Sequence, residues 1–290
     1  EIAKLRLFLA LVAAANTVDE LEPLPNIDFN ILTGNSLIGL MRVDEKEFEK
    51  QQAGTVGKSY RQKKLLKSYE QDTLFKQITK KTYHEVLNKK NQLIRSYRNA
   101  SAYAEDLRAL RDNITDHEKQ AIATLNELLL SGFKQLKIGY EQAVWDEKKK
   151  AAGKPAKRSL EIEDIEALKP FHWGFEFDEI LNQNGGFDAI ITNPPWEIFK
   201  PNAKEFFEEH SDLVTKKKMT IKEFEKEQAK LLKDPDIRNA WLEYLSNYPH
   251  VSAFFRSAQQ YRNQISMVNG KKAGTDINFY KLFTEQCFNL

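Results

Sequence analysis

Between Asp44 and Lys150 the chain contains no proline, and that absence limits what the stretch can fold into more than any short motif does. Proline interrupts helix interiors and central strands. Here nothing breaks two apolar sets at three- and four-residue spacing: Leu65, Leu66, Tyr69, Leu74 and Ile78, then Leu107, Leu110, Ile114, Ile122, Leu125, Leu128 and Leu129. Charged residues fill the positions between them. The spacing predicts long helices packed as an antiparallel hairpin or small bundle, with these residues serving a core and no cofactor.

Charge divides the chain along similar lines. From Met41 to Arg158 there are 26 Lys and Arg against 16 Asp and Glu, or +10, while the remainder has 18 against 26, or −8. The basic part suits a polyanionic partner, and lysine-rich solvated helices would give the same balance. Lys148 to Arg158 is basic, with Gly153 and Pro155 and little apolar content. It reads as a linker or loop, either solvated or placed to touch phosphate.

Of the 290 residues, 41% are hydrophobic, enough for a core. The apolar run near Leu5 to Ala15 is broken by Arg6 and is shorter than the roughly 20 residues a bilayer span needs, so no membrane segment is expected. A lone Cys287 excludes an intramolecular disulfide framework and suits a cytoplasmic protein. The histidines at 84, 117, 172, 210 and 250 show no ligand-like spacing with it, and no structural metal is expected. The chain opens at Glu1 without an initiator methionine, which reads as an internal fragment.

Outside the basic stretch, Ile2, Leu5, Phe8, Leu9 and Val12 predict an amphipathic helix over residues 1–16 that packs on a neighbour. Ile27 to Leu32 alternates apolar and polar, predicting a strand that ends in a turn at Thr33-Gly34-Asn35-Ser36. Phe187-Asp188-Ala189-Ile190-Ile191-Thr192 is short, β-branched and bounded by glycine and proline, as a buried strand would be. Residues 203–262 read as helical, with breaks near Asp234-Pro235 and Tyr248-Pro249. A last helix carries Phe279, Tyr280, Leu282, Phe283 and Cys287, with Asp276 as its N-cap.

Directly after the second predicted strand comes Asn193-Pro194-Pro195-Trp196. An exocyclic aromatic amine is a poor nucleophile because its lone pair is delocalised into the ring. Two acceptors near the amino hydrogens, the Asn193 side-chain carbonyl and the Pro194 backbone carbonyl, favour rehybridisation towards sp³ and stabilise the developing charge. Consecutive prolines remove two backbone donors and restrict φ, so the carbonyls stay rigid. Trp196 offers a face for a base that has left its duplex, a contact worth about 1–3 kcal/mol. A proline loop that merely ends a strand beside a core tryptophan is the plainer alternative.

On these residues the chain resembles the S-adenosylmethionine-dependent amino-methyltransferases, and within them the adenine-specific DNA methyltransferases of restriction-modification systems. Four segments carry the resemblance in the family's order. Ile2 to Leu7 is similar to the helix after the second cofactor strand. Leu24 to Asn30 with Gly34-Asn35-Ser36-Leu37-Ile38-Gly39 is similar to the third cofactor motif. Phe171-His172-Trp173, Glu176-Phe177 and Gly186-Phe187-Asp188 lead to the catalytic Asn193 to Trp196, and Gly274 to Phe283 is similar to the helix that follows.

The resemblance implies an α/β parent with a Rossmann-like methyltransferase sheet, of which this fragment, mostly α-helical, holds about two short strands and a large helical insertion. It divides the chain into core at 1–40, an inserted region at 41–170 and core again at 171–290. It implies S-adenosyl-L-methionine as methyl donor, with Asn35 and Ser36 at the cofactor's adenine ring and Asn193, Pro194, Pro195 and Trp196 at the target adenine. Double-stranded DNA and the remaining methyltransferase and target-recognition domains of the parent are the implied partners. The glycine-rich cofactor motif would lie before Glu1. The same clamp suits a glutamine amide in a protein or a base in RNA, and the fragment alone could be a non-catalytic helical module that binds DNA or protein.

Overall fold

The computed structural model describes residues 2–14, 17, 29, 31–52, 82–100, 107–211, 214, 219–264, 267–268, 271–272 and 276–290. The described residues are mostly helical, with short strands paired in twos. Leu65 to Ile78, Gly274 with Thr275, and Ile27, Asp28 and Asn30 of the strand expected at 27–33 lie outside them, and the described Phe29 and Ile31 to Thr33 form no strand. Contacts group the chain into two units, residues 1–129 with 165–186 and residues 130–164 with 187–290.

In the first unit, helix α1 spans Ile2–Ala14. The expected packing is absent among the described residues: Ile2 is 72% exposed and Leu5 55%. Helix α2 covers 45–52, and α3 covers Tyr83–Asn99. Thr82 caps α3 through a reciprocal box with Glu85, which satisfies two orphan donors of the first turn. Its buried face carries Tyr83, Val86, Leu87, Lys90 and Tyr97. Helix α4, Leu107–Gln135, meets that face with Ala121 and Leu125, and Phe48 and Phe175 complete the cluster. Each fully buried aromatic or leucine here contributes about 1.5–3 kcal/mol.

Two distant segments interlock beside this core. Asn35 N–H donates to Lys169 O (2.7 Å), Phe171 N–H to Ile38 O (2.8 Å) and Gly174 N–H to Leu40 O (3.0 Å). The backbones approach so closely that a Cβ on Gly39 would lie 1.9 Å from Phe171 O, and one on Gly174 would lie 2.8 Å from Arg42 Cα. Glycine is required at both positions.

The second unit contains a hairpin where sequence composition suggested a linker. Strands β1 (Gly139–Gln142) and β4 (Ala156–Ser159) pair antiparallel, as do β2 (Trp145–Asp146) and β3 (Ala151–Ala152). The register shifts by one residue between the two pairs, so residues 153–155 face only 143–144 in a bulge. Pro155, which has no N–H to offer a ladder, sits in that bulge. At the tip, Asp146 Oδ1 accepts from the N–H groups of Lys148 (3.0 Å) and Lys149 (3.1 Å). The region expected to be a helical insertion is therefore partly β-hairpin.

After the short helix α5 (Ile162–Ala167), whose residues are shared between the two units, and the single turn α6 (Trp173–Glu176) of the first, the second unit continues with α7 (Ala203–Glu208), α8 (Ile221–Leu231), α9 (Pro235–Ser246) and α10 (Pro249–Ser257). Proline opens α9 and α10, as the breaks at 234–235 and 248–249 predicted, since a first-turn N–H has no intrahelical acceptor to lose. Phe207, Leu232 and Trp241 form the core, with Phe206, Tyr244 and Trp145 against it. The last helix, α11, spans Phe279–Asn289 and is preceded by Asn278 in the cap position, two residues later than Asp276. Residues 187–192 form no strand: they pair in no ladder, the chain bends at Asp188, and Ile191 is 98% exposed. β-branched side chains favour extended backbone, but a buried strand needs neighbours on both sides, and none lies alongside among the described residues.

Candidate functional site

The Asn193 to Trp196 segment lies in the second unit, outside any helix or strand and turned to solvent: Asn193, Pro195 and Trp196 are exposed and Pro194 is half-buried. It is anchored on its C-terminal side. Ile198 bridges Asn278, Phe199 N–H donates to Ile277 O (2.7 Å) and Phe279 N–H donates to Glu197 O (3.1 Å). The Phe199 ring enters an aromatic cluster, with centroids 5.0 Å from Tyr248, 5.4 Å from Phe255 and 5.5 Å from Phe279. Asn202 N–H donates to the Tyr244 hydroxyl (2.9 Å), which also accepts from the Tyr248 hydroxyl (2.8 Å). These contacts fix the outgoing chain while Asn193 and both prolines remain accessible.

Trp196 does not serve a core. Its ring is 73% exposed and stacks on Tyr280 of α11, with centroids 5.1 Å apart and planes 29° apart. One indole face is backed and much of the rest is open, as a platform for a flat ligand requires. Local spacing placed Tyr280 in a helix core. The signal that could have flagged it is its place in the segment similar to the helix after the catalytic loop, and the Ile198–Asn278 bridge brings the two aromatics together.

Asn35 and Ser36 lie in the first unit. Asn35 Oδ1 accepts from Leu37 N–H (3.2 Å), closing a local turn, and Ser36 O accepts from the Trp173 indole N–H (2.9 Å). Both residues are half-buried, and these bonds leave the Asn35 amide nitrogen and the Ser36 hydroxyl for a ligand. Behind them, His172 accepts from Leu40 N–H at Nδ1 (3.3 Å) and donates from Nε2 to Asn126 Oδ1 (2.9 Å). That pairing requires a neutral ring, and burial holds the His172 pKa down at about 4.

The first unit also holds a recess of about 220 Å³, lined by Lys90, Arg95, Glu118, Glu176, Phe177 and Asp178 among others. Lys90, 3% exposed, donates to Phe175 O (2.8 Å) and Glu176 Oε2 (2.9 Å) and lies 4.0 Å from the Phe175 ring centroid. Burial, reinforced by the Glu176 charge, pushes Glu118 up to about 7. Among the described residues, no group of three or more His, Cys, Asp or Glu is disposed to hold a metal ion, and no helix is long and apolar enough to cross a membrane.

No family model matches the chain, and no solved structure matches it. Over 226 residues, 71% of its length, the chain is 30% identical to a Methanocaldococcus jannaschii protein named a "putative type II restriction enzyme and methyltransferase". The chain spans 18% of that relative's length. The similarity supports kinship with restriction-modification methyltransferases.

Proposed function

We propose that the complete protein is an adenine-specific DNA methyltransferase of a restriction-modification system, acting on the N6 amine of an adenine turned out of the duplex. The observation that carries this is the exposed Asn193-Pro194-Pro195-Trp196 segment, fixed through Phe199 and presenting a tryptophan face already backed by Tyr280. The flipped base stacks on Trp196. Asn193 Oδ1 and the Pro194 carbonyl accept its two amino hydrogens, which draws the lone pair out of the ring and towards an incoming methyl group.

S-adenosyl-L-methionine, when bound, would supply that methyl from its sulfonium sulfur, the S–CH3 bond breaking to leave the neutral thioether. The Asn35 amide nitrogen and Ser36 hydroxyl fit a polar ring edge and would meet the cofactor's adenine. As nitrogen gains the methyl it loses one proton to solvent, and the Asn193 and Pro194 acceptors favour the positive charge that precedes this loss. A Rossmann-like parent sheet and a cytoplasmic location belong to the same proposal, with parental strands pairing residues 187–192.

In the full-length protein, Asn193→Ala should lower methyl transfer to adenine-containing DNA by about 100- to 1000-fold, the scale seen when one preorganised polar partner is removed. DNA affinity should change little. Undiminished transfer would remove Asn193 from the clamp, and label found only in protein or RNA would replace the DNA substrate with another planar nitrogen.

A further inference from the structure

We infer that the Gly139–Ser159 hairpin is a DNA-phosphate arm held in fixed register with the Asn193–Trp196 loop; this rests on the proposed DNA substrate. The arm and the loop share supports. Ala143 N–H of the hairpin donates to Ser246 Oγ of α9 (2.9 Å), and the Tyr140 ring lies 5.3 Å from that of His250 on α10. Phe199, which anchors the loop, packs on Phe255 of the same α10 and on Tyr248 in the junction between the two helices. Arg158 fixes the base of the arm, bonded to both Asp164 carboxylate oxygens (2.6 and 2.7 Å) and 4.0 Å from the Tyr140 ring centroid.

Part of the arm's charge is free to act outward because two of its three acids, Glu141 and Asp146, are held close by, while the exposed Glu147 is only loosely engaged. Glu141 is paired with Lys157 (2.7 Å), Glu147 with Arg238 (4.0 Å), and Asp146 with the tip's backbone and, more loosely, Lys149 (3.8 Å). Lys148, Lys150 and Lys154 are exposed and have no carboxylate partner among the described residues. At the base, Lys134, Lys137, Lys157 and Arg158 help line an open recess of about 660 Å³. Lys134 and Lys137 at the base and Lys148, Lys150 and Lys154 towards the tip therefore carry charge with no carboxylate partner among the described residues, whereas Lys157 and Arg158 are held by Glu141 and Asp164. A two-stranded ribbon is narrow enough for a DNA major groove, and exposed lysines with no base-reading companions suit phosphate, which positions without reading sequence.

The tip folds through backbone N–H groups on Asp146, so its lysine side chains can be changed without undoing it. The test compares the full-length protein with its K148Q/K149Q/K150Q and K148R/K149R/K150R variants. Affinity for a short adenine-containing duplex is measured between about 50 and about 200 mM salt, with methylation of that duplex followed in parallel. If each lysine meets one phosphate, the glutamine variant loses about 2.7 from the slope of log affinity against log salt. Over that fourfold range the unsubstituted protein's affinity should then fall about 40-fold further than the variant's. The arginine variant should keep the slope. An unchanged slope in the glutamine variant, with DNA methylation intact in the unsubstituted protein, overturns the arm and leaves the proposed function standing. Equal loss for single-stranded RNA overturns the choice of duplex, and an unsubstituted protein that neither binds nor methylates DNA overturns both.

Discussion

Trp196 and Tyr280 show how a motif residue acquires a working surface. Tryptophan after two prolines is legible in the sequence as a stacking candidate, whereas its partner is not. Tyr280 shares helical spacing with Phe283 and Cys287, a pattern that ordinarily marks a core face. Only the pairing of Ile198 with Asn278, remote in sequence, places the two rings 5.1 Å apart. Trp196→Ala in the full-length protein should raise KM for DNA and lower kcat, together costing about 1–3 kcal/mol of transition-state binding, the worth of a stacked base. Tyr280→Ala should give a smaller loss of the same kind, restored by Tyr280→Phe, which keeps the ring. Steady-state kinetics on one duplex substrate checks both. Wild-type kinetics in the Trp196 variant would mean the base stacks elsewhere.

At the level of elements, the helices were the readable part. Capping signals at Thr82-Glu85, Thr220-Glu223 and Asp234-Pro235 fix where α3, α8 and α9 begin. The errors fall on β-structure, where pairing is decided by partners. Gly153, Pro155 and the lysines are loop-forming residue types, yet Tyr140 and Trp145 tie the opposite strand to helices and a bulge absorbs the proline. Residues 187–192 show the reverse case, strand-forming side chains without a ladder.

The interlocked segments of the first unit make a pH prediction. Folded His172 stays neutral down to about 4, whereas the unfolded residue protonates below about 6.5. Between those values the unfolded chain binds the extra proton, so this group's contribution, up to about 3 kcal/mol, is present near neutrality and lost towards pH 4. Glu118 acts oppositely: its folded pKa of about 7 exceeds the reference 4.5, so the fold binds the extra proton and rising pH weakens it across that window. Urea midpoints followed from pH 4 to pH 7 should flatten with acid in His172→Gln and fall more steeply with acid in Glu118→Gln. Parallel curves for all three proteins would contradict the assignment.

Across the whole chain, the candidate residues divide between the units: Asn35 and Ser36 in the first, Asn193 to Trp196 and the lysine hairpin in the second. The +10 balance of residues 41–158 was visible from composition, but composition could not distinguish a solvated helix from a lysine-bearing β-hairpin. The structure places Lys148, Lys149 and Lys150 at a hairpin tip. The central claim is the chemistry of the amine. Full-length protein should be incubated with labelled S-adenosyl-L-methionine and duplex DNA, and the DNA digested to nucleosides for mass analysis. The account predicts N6-methyladenine from the unsubstituted protein and about 100- to 1000-fold less of it, in the same time, from Asn193→Ala; methylcytosine, or label confined to protein, would contradict it.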